Sequence, residues 1–199
     1  MEEFKFFNLL YNFNVEKTEV LNGTDNIINR TLHEFSKIKK TYDNCTDSRY
    51  PSVLVTTELI RTAYNRLKER GVRVRFITEI TNDNIYYSKQ ILKIIGEIRH
   101  LDGVKGNLAI ADGTIYAATA TVQARKPIEQ LVVSNVKALV EQQKYFFDML
   151  WNKAIPAKQR IKEIEEGLKR EFIETIRDPT EVQSIIPKLI SSATEERSC

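Results

Sequence analysis

Residues 99–122 read RHLDGVKGNLAIADGTIYAATATV. Asp112-Gly113 parts two runs of strand-forming residues, and that dipeptide suits the positive φ angles of a two-residue type I′ turn. In that register Ala111 faces Thr114, Ala109 faces Tyr116, Asn107 faces Ala118 and Lys105 faces Ala120. Side chains alternate across a strand, so Leu108, Ile110, Ile115 and Ala117 share a core-facing side. Lys105, Asn107, Ala109, Tyr116, Ala118 and Ala120 share the other. Two polar groups and a phenol over a floor of alanines describe a shallow cavity; the same alternation also describes an outer face met by solvent.

Outward from the hairpin, residues 15–122 alternate strand-like and helix-like patterns, which predicts an α/β domain with a mainly parallel sheet flanked by helices. A first strand spans 16–21, Gly23 breaks it, and Thr24 or Asp25 caps a helix with Ile27, Ile28, Leu32 and Phe35 facing inward. A short strand follows at 41–45. Residues 59–70 read as a helix closed by Gly71, and VRVRFITEI from Val72 has the Val, Phe and Ile content of a buried parallel strand. Thr81, Asn82, Asp83 and Asn84 offer caps for a helix from Ile85 to about Arg99, with Ile91, Leu92, Ile94, Ile95 and Ile98 inward.

The second half changes character. Apolar positions Val136, Leu139, Val140, Phe146, Phe147, Leu150 and Trp151 recur at three and four, marking a long amphipathic helix over 134–154. Beyond Pro156, a narrow stripe of Ile161, Ile164, Leu168, Phe172 and Ile176 flanked by Lys, Arg and Glu fits a helix that pairs with another. Long C-terminal helices are therefore expected. Asp178-Pro179-Thr180-Glu181 starts one more helix, and Val182, Ile185, Ile186, Leu189 and Ile190 give it an apolar face. The expected division is an N-terminal arm at 1–14, a domain at 15–155, and at 156–199 a helical connector with the start of a truncated following unit.

Composition bounds the function classes. The 199 residues are 42% hydrophobic and 29% charged, proportions of a globular protein long enough to bury a core. The net charge of +3 is small and its charges are interspersed, so no nucleic-acid partner is expected. Cys45 and Cys199 give neither a disulfide framework nor a metal-ligand spacing, so no metal site and no cofactor are expected. No run nears the roughly 18 apolar residues of a membrane span. The start MEEFKFF lacks the basic region of a secretory signal, so a cytoplasmic location without membrane insertion is the expectation.

In open parallel sheets ligands sit at the carboxyl ends of strands. That rule points to Cys45, Thr46 and Asp47, and to Glu79, which capping does not require, whereas Thr81, Asn82 and Asp83 fit helix caps. His100, beside the hairpin, is either a ligand group, a histidine being able to tune a pocket by its protonation near neutral pH, or a structural one. The candidate ligand-binding set is Lys105, Asn107, Tyr116, Glu79, Asp47, Cys45 and His100.

Three passages together, RVRFITEITNDNI, EIRHLDGVKGNLAIADGTIYAA and SNVKALVEQQKYFFDMLWNKAIPAKQRIKEIEEG, resemble the phospholipase D-like sensor domain that precedes the kinase of many archaeal histidine kinases. The effector domain of sugar-responsive archaeal transcription regulators is a more distant resemblance. The likeness covers about residues 16–170. It implies a phospholipase D-like fold whose active members carry His, a spacer, Lys, four spacers and Asp on this hairpin. Here only Asp112 matches, with Lys105 at the His position and Asn107 at the Lys position. The family's Gly-Ser-x-Asn landmark reads Thr119-Ala120-Thr121-Val122. Protonated lysine is a poor nucleophile and asparagine supplies no positive charge.

The resulting expectation is a non-catalytic, ligand-sensing input domain of a two-component histidine kinase, relaying a small molecule's binding through the C-terminal helices. A homodimer and downstream kinase domains in the parent chain are the expected partners. The alternatives are the effector-binding domain of a transcription regulator and an active phosphodiesterase. His33-Glu34 invites comparison with a kinase phosphoacceptor, but no Pro follows and no ATP-binding glycine motif appears downstream, which leaves His33 as a helix-surface residue.

Overall fold

The computed structural model describes residues 15–119 and 130–168. In chain order these form β1 (Thr18–Asn22), α1 (Thr24–Lys37), β2 (Thr41–Thr46), α2 (Tyr50–Thr56), α3 (Glu58–Glu69), β3 (Arg73–Thr78), α4 (Ile85–Ile91), β4 (Glu97–His100), β5 (Asn107–Ala111) and β6 (Ile115–Thr119). After these come β7 (Gln130–Ser134), α5 (Lys137–Lys153), β8 (Ile155–Pro156) and α6 (Ala157–Glu165). The chain divides after Gly167 into two units, and all of these elements belong to the first.

All eight strands join one sheet in the order β1-β7-β6-β5-β2-β3-β4-β8. Only β2 with β3 and β3 with β4 are parallel. The remaining neighbours are antiparallel, which corrects the expectation of a mainly parallel sheet. The physical reason lies in the connections. Helical crossovers link β2, β3 and β4 and return the chain in the same direction, whereas a tight turn between β5 and β6 reverses it. The helix expected from 85 to about 99 stops at Ile91; a turn and Gly96 follow, and Ile98 enters β4 beside Phe76 instead of continuing the helical stripe. The stripe beyond Pro156 forms α6 only to Glu165, with Gly167 at φ 64°. Long C-terminal helices are thus not shown. The arm at 1–14, Ala120, Thr121, Val122, Phe172, Ile176, the segment from Asp178 and Cys199 lie outside the described residues.

The sheet separates two packed layers. On one face, α1, α2, α3, α4 and α6 enclose Phe35, Tyr42, Tyr64, Phe76, Ile91 and Ile98, all buried. On the other, α5 lays Val140, Phe147 and Trp151 over Cys45, Ile77 and Ile110. Arg75 pins that second layer. Its guanidinium gives paired hydrogen bonds of 2.7 Å to Asp43, a third of 2.8 Å to Asp148 on α5, and lies 4.8 Å from the centre of the Phe147 ring. Among the described residues no helix is long and apolar enough to cross a membrane.

Candidate functional site

The hairpin turn forms as its dipeptide requires. Asp112 and Gly113 have φ of 51° and 65°, and the Thr114 N–H donates to the Ala111 carbonyl at 3.0 Å. The ladder, however, pairs Ala111 with Ile115, Ala109 with Ala117 and Asn107 with Thr119. Thr114 is therefore an extra residue between the turn and the strand, and the register differs by one from a bare two-residue hairpin. A slip of one residue exchanges the faces of the whole partner strand. Tyr116 consequently lies with Leu108 and Ile110 against the Trp151 layer, where burial raises its phenol pKa, while Ile115 and Ala117 join Asn107 and Ala109 on the opposite face.

That face carries a continuous polar row at the carboxyl edge of the parallel strands. Thr119, Asn107, Thr46, Thr78 and His100 are successive cross-strand partners on β6, β5, β2, β3 and β4. The Asn107 amide donates to Thr119 Oγ1 at 3.1 Å, and its carbonyl oxygen takes a long 3.4 Å bond from the Asp47 N–H. Thr78 Oγ1 donates to the Asp47 carbonyl at 3.1 Å. Thr46 is fully buried, and its hydroxyl is the one buried side-chain polar atom without a hydrogen-bond partner among the described residues. An orphan of this kind calls for a specific explanation, because leaving it unpaired costs about 1–3 kcal/mol. Gly106, at φ 76°, opens β5 beside this row; a Cβ there would meet the Thr119 carbonyl at 3.1 Å.

Above the row's Asn107 end lies a cavity of about 320 Å³. Its floor is Asn107, Ala109, Ala111, Ile115, Ala117 and Thr119, and α1, α2 and the start of α3 roof it through Ile27, Ile28, Phe35, Tyr50, Val53 and Leu59. The alanines make this space, since the same face under α3 is filled by Tyr42, Tyr64 and Phe76. The cleft opens to solvent past Val53 and Leu59. Nearby, Asn44 donates to the Tyr64 hydroxyl at 2.6 Å, and burial raises the pKa values of Tyr42, Tyr50 and Tyr64, keeping these phenols neutral.

The expected ligand residues scatter around this site. Asn107 lines the cavity, and Asp47 adjoins it, its carboxylate held by Arg49 at 2.6 Å. His100 is buried at the far end of the row, its Nδ1 accepting from the Ile80 N–H at 2.8 Å and its Nε2 lying 3.0 Å from Asp102. Glu79 is half-buried, and its carbonyl accepts from Asn84, whose side chain also holds Ser48 and Thr81. Lys105 is exposed and precedes the strand. Cys45 lies on the Trp151 face, where burial pushes its thiol up to about 12. His33 is exposed on α1. Sequence reading placed Thr46 at a strand end but missed its orphan hydroxyl, and missed Thr119 as a cavity wall because the bulge at Thr114 is not encoded in the Asp-Gly pair.

A larger open groove, about 670 Å³, surrounds Asp112 at the other end of β5. Its charges largely satisfy one another: Lys17 with Glu19 at 2.6 Å, and Arg30 with Glu19 at 3.1 Å and Glu34 at 2.8 Å. Asp112 itself accepts from the backbone N–H groups of Lys39, Lys40 and Thr41 at 2.7–2.9 Å. Partial burial works against its charge, but these three donors hold its carboxyl below the usual range.

No protein-family model matches the chain, and no curated protein does. Solved structures do match. Nuc from Salmonella typhimurium, a phospholipase D family member, is 18% identical with a TM-score of 0.57, over 71% of this chain and 97% of that one. NucT from Helicobacter pylori is 13% identical with a TM-score of 0.58, over 71% and 99%. TrmBL2, an archaeal chromatin protein with a novel mode of DNA binding, is 20% identical with a TM-score of 0.52, over 78% of this chain and 60% of that one. The fold is phospholipase D-like.

These likenesses correct two expectations. A fold shared with a family named for its enzyme overturns the assignment of this chain as no enzyme; the absence of His and Lys from one hairpin is too narrow a ground for it. The same fold in a DNA-binding chromatin protein overturns the exclusion of nucleic acid as a partner. Net charge averages over the surface, whereas contacts to phosphates depend on local patches.

Proposed function

We propose that the chain is a ligand-sensing input domain of a signal-transduction protein, a two-component histidine kinase in the first instance, in which a small molecule in the cavity alters the helices at 137–165. The observation that carries the reading is the cavity itself, floored by the hairpin's alanines and lined by Asn107, whose cross-strand partner Thr46 holds the orphan hydroxyl. A route outward supports it. Leu131 and Val133 of β7 line the cavity wall, and β7 runs within three residues into α5. A ligand shifts such an equilibrium only by its differential affinity for two arrangements. Hydrogen exchange of the chain, with and without a metabolite that raises its unfolding temperature, tests this. Altered protection across 137–165 is expected; protection changes confined to the cavity walls at saturating ligand would refute the relay.

A second reading, the effector-binding domain of a DNA-associated regulator, is favoured by the likeness to TrmBL2. Duplex DNA binding by this chain that weakens steeply with salt would support it over the first, because release of counterions from phosphates accompanies such contacts.

A further inference from the structure

We infer that the cavity takes a neutral, mostly apolar small molecule, an amide or alcohol with an aliphatic or aromatic body, its polar head on Asn107 and Thr119. The inference rests on the sensory reading of the same site and narrows its ligand.

The walls decide the body. Ile27, Ile28, Ile115, Leu131 and Val133 offer hydrocarbon, and Val53 and Leu59, 42% and 58% exposed, place apolar side chains at the border of the cavity and solvent. Ligand sites are typically apolar clefts of about 300 Å³ or more with a few placed polar groups. The absence of a free charge among the described lining residues decides the head. Among the described residues, the charged ones in the lining are Arg30 and Glu34, joined to each other at 2.8 Å, with Glu19 and Lys37 completing their pairing. A carboxylate or ammonium entering here would lose its hydration without gaining a free counter-charge, whereas a neutral head needs only hydrogen bonds.

Those bonds are on offer at one end. Asn107 directs one amide proton to Thr119 and retains a second, while Thr119 Oγ1, accepting from Asn107, has its own proton to give. Among the described residues, the Asn107 carbonyl oxygen holds only the 3.4 Å bond from Asp47. An amide or hydroxyl head matches this mixed donor and acceptor set. Thr46, the next residue along the row and on the same face, lies outside the cavity lining, with a buried hydroxyl that has no partner among the described residues.

The test is uptake of N-phenyl-1-naphthylamine by the full chain, followed by its fluorescence, and its displacement by decanamide or decanoate. Saturable uptake is expected, with decanamide displacing the probe at about tenfold lower concentration than decanoate, the ratio worth roughly one hydrogen bond or a stranded charge. Ala117→Leu, which fills the floor, should abolish uptake while unfolding stays cooperative, with Ala109→Leu as the second filling variant. Asn107→Ala should erase the advantage of decanamide over decanoate. No uptake, equal or better displacement by decanoate, or full uptake by both cooperatively folded filling variants would overturn the inference. Uptake with the expected preference but no change in exchange across 137–165 would leave the ligand class standing and refute the sensory reading.

Discussion

Asp112 shows how one side chain joins distant segments. It occupies a turn, yet its carboxylate accepts from three consecutive backbone amides 71 to 73 residues earlier in the chain. Replacing it with alanine leaves those donors to water and should cost about 1–3 kcal/mol, measured by denaturant unfolding. Its carboxyl titrates below the ordinary value in the folded chain. Its contribution is therefore complete above the unfolded carboxylate range, near 4, and is lost as pH falls through the lower folded value. The stability gap between wild type and Asp112→Ala should close in that acid window; a constant gap would show that the charge is not what matters. Cys45 gives a second check. A thiol pushed up to about 12 and 3% exposed carries no thiolate at neutral pH, so in a Cys199→Ser chain a disulfide reagent should react only after denaturation. The Asp-Gly turn was legible in the sequence because its backbone demand is local. The acceptor role of Asp112 was not, because its partners are set by how β2 lies beside β5.

At the scale of elements, punctuation was readable and pairing was not. Gly23 and Gly71 end strand and helix as their positive φ allows, and β1, α1, β2, α3 and β3 fall close to the spans predicted. Ile94, Ile95 and Ile98 continued a helical stripe in the sequence, yet cross-strand pairing with β3 prevailed over it. Helix α2, with Val53 and Val55, and the two-residue β8 were too short to show a period. The faces of the hairpin depended on the single residue Thr114: of the alanines expected on the Asn107 face Ala109 stays, Ala117 takes the place of Ala118, and Tyr116 and Ala118 lie on the other face, with Thr119 as the partner of Asn107. The docking of α5 makes a sharper prediction. Arg75 is 12% exposed and Asp43 only 4%, so Arg75→Ala leaves that buried carboxylate with the more distant Lys144, 3.7 Å away, as its cation and should cost about 3 kcal/mol. Arg75→Ala combined with Asp43→Asn should recover part of that loss in the same unfolding measurement; equal losses in single and double variants would place the energy in ring contacts instead.

At the scale of the whole molecule, the sheet is a partition: one face supports a dense aromatic layer and the cavity, the other carries α5. A ligand bound only by the folded state at a hundred times its dissociation constant adds about 2.7 kcal/mol, which for a domain of this size raises the unfolding midpoint by roughly 5 to 10 °C. Asn107→Ala should reduce that shift and Lys105→Ala should leave it, a contrast readable in a single thermal-unfolding series. The pairing of β1 with β7 has a kinetic meaning. Thr18 meets Ser134 across 116 residues, and α1, the roof of the cavity, is held between β1 and β2. Contacts so remote in sequence form late, because the entropy of closing the loop is lost before they return any energy. During refolding the sole tryptophan, Trp151, should regain its native emission ahead of the binding of a fluorescent apolar probe, so the chain would pass through a state that is built but still without its binding cavity.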